Sequence, residues 1–221
     1  MLLFEPLKIK YDFIIPLGEE CYTSESIDSK FNIAIRKLAF PFDYVGHTFI
    51  ETIQKKLENI IFNNESLLEK NDIEIKLFGD KYFYVDSKYG LNYWHDTTYK
   101  DYSLFTDEDL NNFFDKYKRR YERLIDIVNG DNKIIFISVN HYDNIYKNIE
   151  KKEELNNLYN ILIKINKNIL LLAFNYEKSN YHIDNLFHIN LEFDNNLPFD
   201  ESKNIFKKNL FNYMNTYIKL L

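Results

Sequence analysis

Two short apolar runs with a helix-period stretch between them constrain this chain more than any other feature. The first is Ile134-Ile135-Phe136-Ile137-Ser138-Val139; Leu155, Leu158, Leu162 and Ile165 then form one helical stripe, and Ile169 to Phe174 is the second run. Runs that are apolar at nearly every position and this short are strands covered on both faces. A helix linking two of them lays the second parallel to the first, because the crossover must pack back onto the sheet. The result is a βαβ unit.

Asp12 to Leu17, closed by Gly18, repeats the buried-strand pattern, and from about Thr23 the period changes to Ile27, Phe31, Ala34, Ile35 and Leu38, one apolar helix stripe. A second helix is expected from Thr48, with its hydroxyl as cap, Glu51 reaching back, and Ile50, Ile53, Leu57 and Ile60 or Ile61 inward. Ile73 to Phe78 and Lys81 to Val85, joined by Gly79-Asp80, read as a hairpin whose turn type the dipeptide leaves open. Thr106 with Asp109 opens a helix that carries Leu110, Phe113, Tyr117, Tyr121, Leu124 and Val128 inward and stops before Gly130. Leu186 to Leu191 offers a further strand, and a closing helix would use Ile205, Leu210, Tyr213, Tyr217 and Leu220. No repeat or Pro/Gly/Ser-rich linker divides the chain, so residues 1–221 read as one α/β domain. The expected architecture is a largely parallel sheet with helices on both faces plus an inserted antiparallel β-hairpin.

Charge narrows the function classes. A net charge of -6, with Lys and Glu interleaved, argues against a nucleic-acid partner, which needs clustered positive charge. The one basic cluster, Lys116, Lys118, Arg119, Arg120 and Arg123, reads as a solvated helix face. The apolar runs are too short for a membrane span. A single cysteine forms no internal disulfide, and no charged-then-apolar signal pattern opens the chain, so a reducing, cytoplasmic compartment is expected. The richness in Asn, Ile and Lys fits AT-rich coding, as in some viruses and low-GC bacteria; for a virus the compartment would be the host cytoplasm. There is no Gly-rich phosphate loop, no H-E-x-x-H and no cysteine pair, so no cofactor or metal is expected. Oligomeric state leaves no mark in the sequence.

Chemistry concentrates on Cys21, placed where a strand ends and a helix begins. Helix N-terminal amides lower a thiol's pKa from about 8.5, and Gly18 permits the tight turn that would aim amides at an oxyanion. A lone cysteine is also a common buried hydrophobe. A nucleophilic thiol needs a base, and His47, His95, His141, His182 and His188 compete. His95, in the loop Asn92-Tyr93-Trp94-His95-Asp96, is best placed; His141, just after the strand ending at Val139, is the reserve; His182 and His188 read as surface or packing residues. The orienter of the base would be Asp43, Asp96 or Asn140, Asp43 having turn-capping as its alternative role.

These residues resemble a family of bacterial and viral proteins described as papain-like cysteine peptidases. The likeness rests on Leu17-Gly18-x-x-Cys21, on Arg36 ahead of Pro41-Phe42-Asp43-Tyr44, where the family usually has Trp for Tyr44, on His95-Asp96, and on Lys116-x-Lys118-Arg119-Arg120-Tyr121. It covers roughly residues 11 to 140. It implies a thiol-dependent hydrolase in which Cys21 attacks an acyl carbon and His95 shuttles the proton; on the reading of the residues Asp43 is then the expected orienter, and Gly18, Asn140, His141, Asp96 and Arg36 are the candidates to meet substrate or oxyanion. The substrate would be a peptide. The chain lacks the papain-type Gln before the nucleophile and the Cys-Gly-Ser-Cys-Trp surround. The strand, glycine turn and nucleophile also look like SGNH-type hydrolases, with Asn140 as oxyanion donor and an acylated glycan or lipid as substrate. A third reading is a non-enzymatic interaction domain with a structural cysteine and a tyrosine-rich surface.

Overall fold

The computed structural model describes residues 11–18, 24, 38–43, 49–63, 68–94, 96, 98–147 and 149–217. In chain order the elements are β1 (Phe13–Leu17), α1 (Ile50–Ile61), β2 (Ile73–Phe78), β3 (Lys81–Asp86), β4 (Leu91–Asn92), β5 (Thr98–Tyr99), α2 (Asp107–Asn129), β6 (Ile134–Val139), α3 (Tyr142–Tyr146), α4 (Lys152–Ile165), β7 (Ile169–Phe174), β8 (Tyr181–Ile183), β9 (Leu186–Ile189) and α5 (Phe199–Tyr217).

One sheet has the order β1-β6-β7-β9-β8, with β1, β6, β7 and β9 mutually parallel and β8 antiparallel to β9. Its two faces are divided by the strand period of two. Ile134, Phe136, Ile169, Leu171 and Ala173 pack with α1, α2 and α4. Ile135, Ile137, Val139, Leu170, Leu172 and Phe174 pack with Phe206, Leu210 and Met214 of α5. Helices therefore cover both faces. Successive parallel strands step in one direction across the sheet while α2 and α4 share a face, as same-handed crossovers require. Pro16 sits within β1, opposite Ile137, and is tolerated because among the described residues β1 is the edge strand of the sheet.

The inserted unit is a sheet rather than a bare hairpin: β2 pairs one side of β3, and β4 and β5 pair the other. Of the turn residues only Gly79 has positive φ, +62°, which is the type II′ arrangement with Gly first.

Several element boundaries differ from expectation. Thr48 lies outside the described residues, the N-cap position of α1 is Phe49, and no side chain caps it. Glu51 pairs instead with Lys151 at 2.6 Å, so α1 is held by Ile50 and Ile53 in the core and by its neighbour helix. The strand expected through Leu191 stops at Ile189, and β8 precedes it through a turn in which Asp184 takes φ +49°. The buried stripe of α5 is Ser202, Phe206, Leu210 and Met214; Ile205 is exposed and Tyr213 partly buried, because the i, i+4 series that begins at Ser202 selects a face one residue further round. Of the helix expected from about Thr23, only Ser24 and Leu38 are among the described residues. The capping box at Thr106 and Asp109 forms as expected.

Candidate functional site

Pairing register fixes what meets at the carboxyl edge of the parallel strands. Leu17, Ser138, Ala173 and His188 form one row across β1, β6, β7 and β9. Within it Ser138 Oγ and Tyr176 Oη share a hydrogen bond of 2.6 Å, both buried. His188 is fully buried; its Nε2 accepts from the Tyr176 N–H at 2.9 Å and the Glu177 N–H at 3.3 Å. The proton therefore sits on Nδ1, which donates to Ser179 O at 2.8 Å. Burial lowers its pKa and favours this neutral form. His188 thus has the packing role expected of it, while His182 is exposed and stacks on Phe187 at 4.2 Å.

One residue beyond the strands, each of β6, β7 and β9 is followed by asparagine: Asn140, Asn175 and Asn190. Asn140 N–H donates to Phe174 O at 3.0 Å, its Nδ2 to Asn175 O at 2.8 Å, and its Oδ1 accepts from Asn144 Nδ2 at 2.9 Å. Asn175 adopts φ +60°, a conformation asparagine tolerates better than most residues, and clasps Leu191 through Nδ2 to O (2.7 Å) and N to Oδ1 (2.8 Å). An amide chain thus ties the strand ends together without any charge.

His141 follows, buried, with its ring 5.1 Å from Phe49 and its carbonyl accepting from the Asn144 and Ile145 N–H groups that open α3. A cleft of about 360 Å³ over β7 and β9 is walled by Asn144, Ile149, Asn175, Tyr176, Leu191 and Phe193. A second, of about 450 Å³, shares Asn144 and Ile149 and reaches Phe49, Glu51 and Lys151. Together they run along the edge. Lys151 is gripped by Glu51 at 2.6 Å and Glu154 at 2.9 Å, which raises its pKa. Lys152 pairs with the buried Glu177 at 2.9 Å.

Of the residues singled out from sequence, Gly18, Asn140 and His141 are brought to the ends of two neighbouring strands, β1 and β6. Cys21, Arg36, His47 and His95 lie outside the described residues. Asp43 is buried and closes its own turn: Oδ2 accepts from Phe40 N–H at 2.8 Å, and Asp43 N–H donates to Phe40 O at 3.2 Å. That turn is held to α2 by Arg123, which donates to Ala39 O, and by Phe42 edge-on to Tyr121 at 6.1 Å. Asp96 accepts from Lys116 at 2.8 Å and is hydrogen-bonded to the Tyr117 hydroxyl. Within the basic cluster Lys118 and Arg119 are exposed, whereas Lys116, Arg120 and Arg123 are half-buried, Arg120 over the Tyr117 ring at 5.0 Å. The sequence alone points to Asn140 only as an orienter or oxyanion donor; the signal for the asparagine chain is the Asn directly after each of the apolar runs that end at Val139 and Phe174.

Among the described residues no three His, Cys, Asp or Glu side chains gather as a metal site requires. Nor is any described helix long and apolar enough to cross a membrane. Compared with family models, curated proteins and solved structures, the chain finds no match.

Proposed function

We propose that the chain is a thiol-dependent hydrolase that works at the carboxyl edge of its parallel sheet, with Cys21 as nucleophile and the acyl group of a peptide, ester or acylated glycan as substrate. The observation that carries this reading is the pairing of β1 with β6. In register, it delivers Gly18, three residues before Cys21, and the Asn140-His141 pair to adjacent strand ends, beside the Phe49 and Asn144 cleft. Ligands of parallel α/β sheets bind outside these carboxyl ends.

In the proposed reaction the Cys21 thiol proton passes to an imidazole, and the thiolate adds to the acyl carbon. Backbone amides at the Gly18 turn face the developing oxyanion. The imidazolium then protonates the leaving amine or alkoxide, and water hydrolyses the thioester with the same imidazole as base. His141 is the base we favour, because it lies two residues past the end of β6, the strand next to the one that leads to Cys21. The competing assignment is His95, which the family resemblance implies, with Asp43 as its orienter. Asn140 enters as the residue that fixes the β6 end, since both ends of its amide are engaged.

Turnover of p-nitrophenyl esters and of a fluorogenic peptide mixture, measured on wild type, Cys21→Ala, His141→Gln and His95→Gln, tests the assignment. Cys21→Ala should abolish turnover, and His141→Gln should lower it by about 10²-fold or more. Loss in His95→Gln with His141→Gln unaffected would move the base to His95. Turnover by Cys21→Ala equal to wild type would end the hydrolase reading.

A further inference from the structure

The inserted sheet ends on β2, which has β3 on one side and, among the described residues, no strand on the other. Such an edge presents a row of backbone donors and acceptors to any strand that fits it. β2 reads Ile73-Glu74-Ile75-Lys76-Leu77-Phe78, and its far half is open to solvent, with Leu77 56% and Phe78 52% exposed. Both are large apolar side chains, Phe78 edge-on to Trp94 at 4.9 Å, on an edge that no described strand pairs.

We infer that β2 is a dimerisation edge, on which β2 of a second copy of this chain adds antiparallel to make one continuous eight-stranded sheet from two four-stranded ones. The occupant is chosen by charge. With Ile75 opposite Ile75 of the second copy, Glu74 falls opposite Lys76 and Lys76 opposite Glu74, twice by symmetry, while Ile73 meets Leu77. Directly opposed side chains in an antiparallel pair have Cβ atoms about 5 Å apart, within ion-pair reach. A slip of one residue on each copy to either side sets Lys76 against Lys76 or Glu74 against Glu74. The favoured register also keeps the Ile73, Ile75 and Leu77 faces of both copies on one side of the sheet, as a two-fold axis requires.

The surface beside the edge fits an added strand. A cleft of about 480 Å³ is walled by Ile73, Glu74 and Ile75 on one side and by Tyr102, Phe105 and Leu110 on the other. Ile75 lies opposite Tyr84 of β3, so the cleft borders the face of β2 that carries Ile73 and Ile75. Tyr84 also lines it; that side chain is fully buried and its hydroxyl has no hydrogen-bond partner. The apolar side chains of an incoming Ile73-x-Ile75-x-Leu77 would enter this space.

Sedimentation velocity over a concentration series on the full chain, run on wild type, Glu74→Lys, Lys76→Glu, the double swap Glu74→Lys/Lys76→Glu, and an equimolar mixture of the two single variants, tests the inference. Both side chains are about half exposed, at 51% and 53%, so the fold should be retained, with far-UV circular dichroism as the check. Wild type should form dimers as concentration rises. Each single variant should dissociate about tenfold more readily, two like-charge contacts replacing two opposite ones. The double swap and the mixture should recover the wild-type dissociation constant. A wild type that stays monomeric throughout overturns the proposal, and so do single variants that dimerise as tightly as wild type, which would place any dimer on another face.

Discussion

The two sheets of this molecule solve the same problem, closing polar groups away from water, in opposite ways. In the parallel sheet the buried strands are aliphatic, and most polar groups at their ends are neutral, namely asparagine amides, a serine, a tyrosine and a histidine held in its neutral form, beside one ion pair at the rim between Glu177 and Lys152. In the antiparallel sheet the core is aromatic, with Tyr84, Phe105, Phe113, Tyr93 and Tyr117 packed edge-on or tilted with ring centroids 4.4 to 5.1 Å apart, and a full ion pair lies within it. Lys56 of α1, 1% exposed, meets Asp86 of β3 at 3.0 Å, with Tyr89 and Tyr121 rings 4.3 and 5.2 Å from its ammonium. Burial lowers the Lys56 pKa while Asp86 holds it up. A neutral amide network loses less when one member is changed than a buried charge does when it loses its partner and with it its whole compensation.

The contrast is broken most directly at Lys56. Lys56→Met should lower unfolding free energy in urea by about 3–5 kcal/mol, because Asp86 is left buried and unpaired, and Lys56→Met/Asp86→Leu should recover most of the loss. A double variant as unstable as the single one would mean that the pair itself, rather than the orphaned charge, matters. At the other sheet Asn175→Ala should cost about 2–3 kcal/mol by the same measurement, from two lost hydrogen bonds to Leu191 and the left-handed backbone, and Asn175→Gly less, since glycine keeps φ +60° without strain. Equal losses for Ala and Gly would assign the whole effect to the hydrogen bonds. Thr106→Ala calibrates both, because its capping box is exposed and belongs to neither sheet; about 1 kcal/mol is expected.

The smallest expected effect is a pH dependence confined to the parallel sheet. His188 has a folded pKa below its ordinary 6.5, so at mildly acidic pH the unfolded chain binds a proton that the folded chain does not. Stability should therefore fall as pH drops below about 6.5 and be recovered above it. Comparing thermal midpoints of wild type and His188→Gln across that window checks the sign; a parallel decline in both would assign it to other groups.

Much of this layout was legible. Six-residue runs such as Ile134 to Val139, apolar on both faces, identified the parallel strands, and the periods at Phe113, Tyr117, Tyr121 and Leu124 identified α2, because period and burial are set by the same geometry. Boundaries were less so. Phe49 at the α1 N-cap and Ile205 on the wrong side of the α5 stripe were settled by tertiary packing, which single-residue preferences do not encode. Lys56 stands among Ile53, Leu57 and Ile60 on an inward helix face, a departure from pattern that marks a buried ion pair only once Asp86 is known to oppose it. For the site, the strand ends at Gly18 and Asn140-His141 followed from the βαβ pattern. The turn role of Asp43 and the Lys116 partner of Asp96 did not, since both depend on how loops fold back onto α2.

The rate of Cys21 alkylation by iodoacetamide as a function of pH, on wild type and on His141→Gln, tests the proposed chemistry most directly, since the chain has no other thiol. A midpoint clearly below about 8.5 in wild type that moves upward in His141→Gln is the expected result, the imidazolium no longer favouring the thiolate. A wild-type thiol that titrates near about 8.5, or that does not react until the chain is unfolded, would contradict the account.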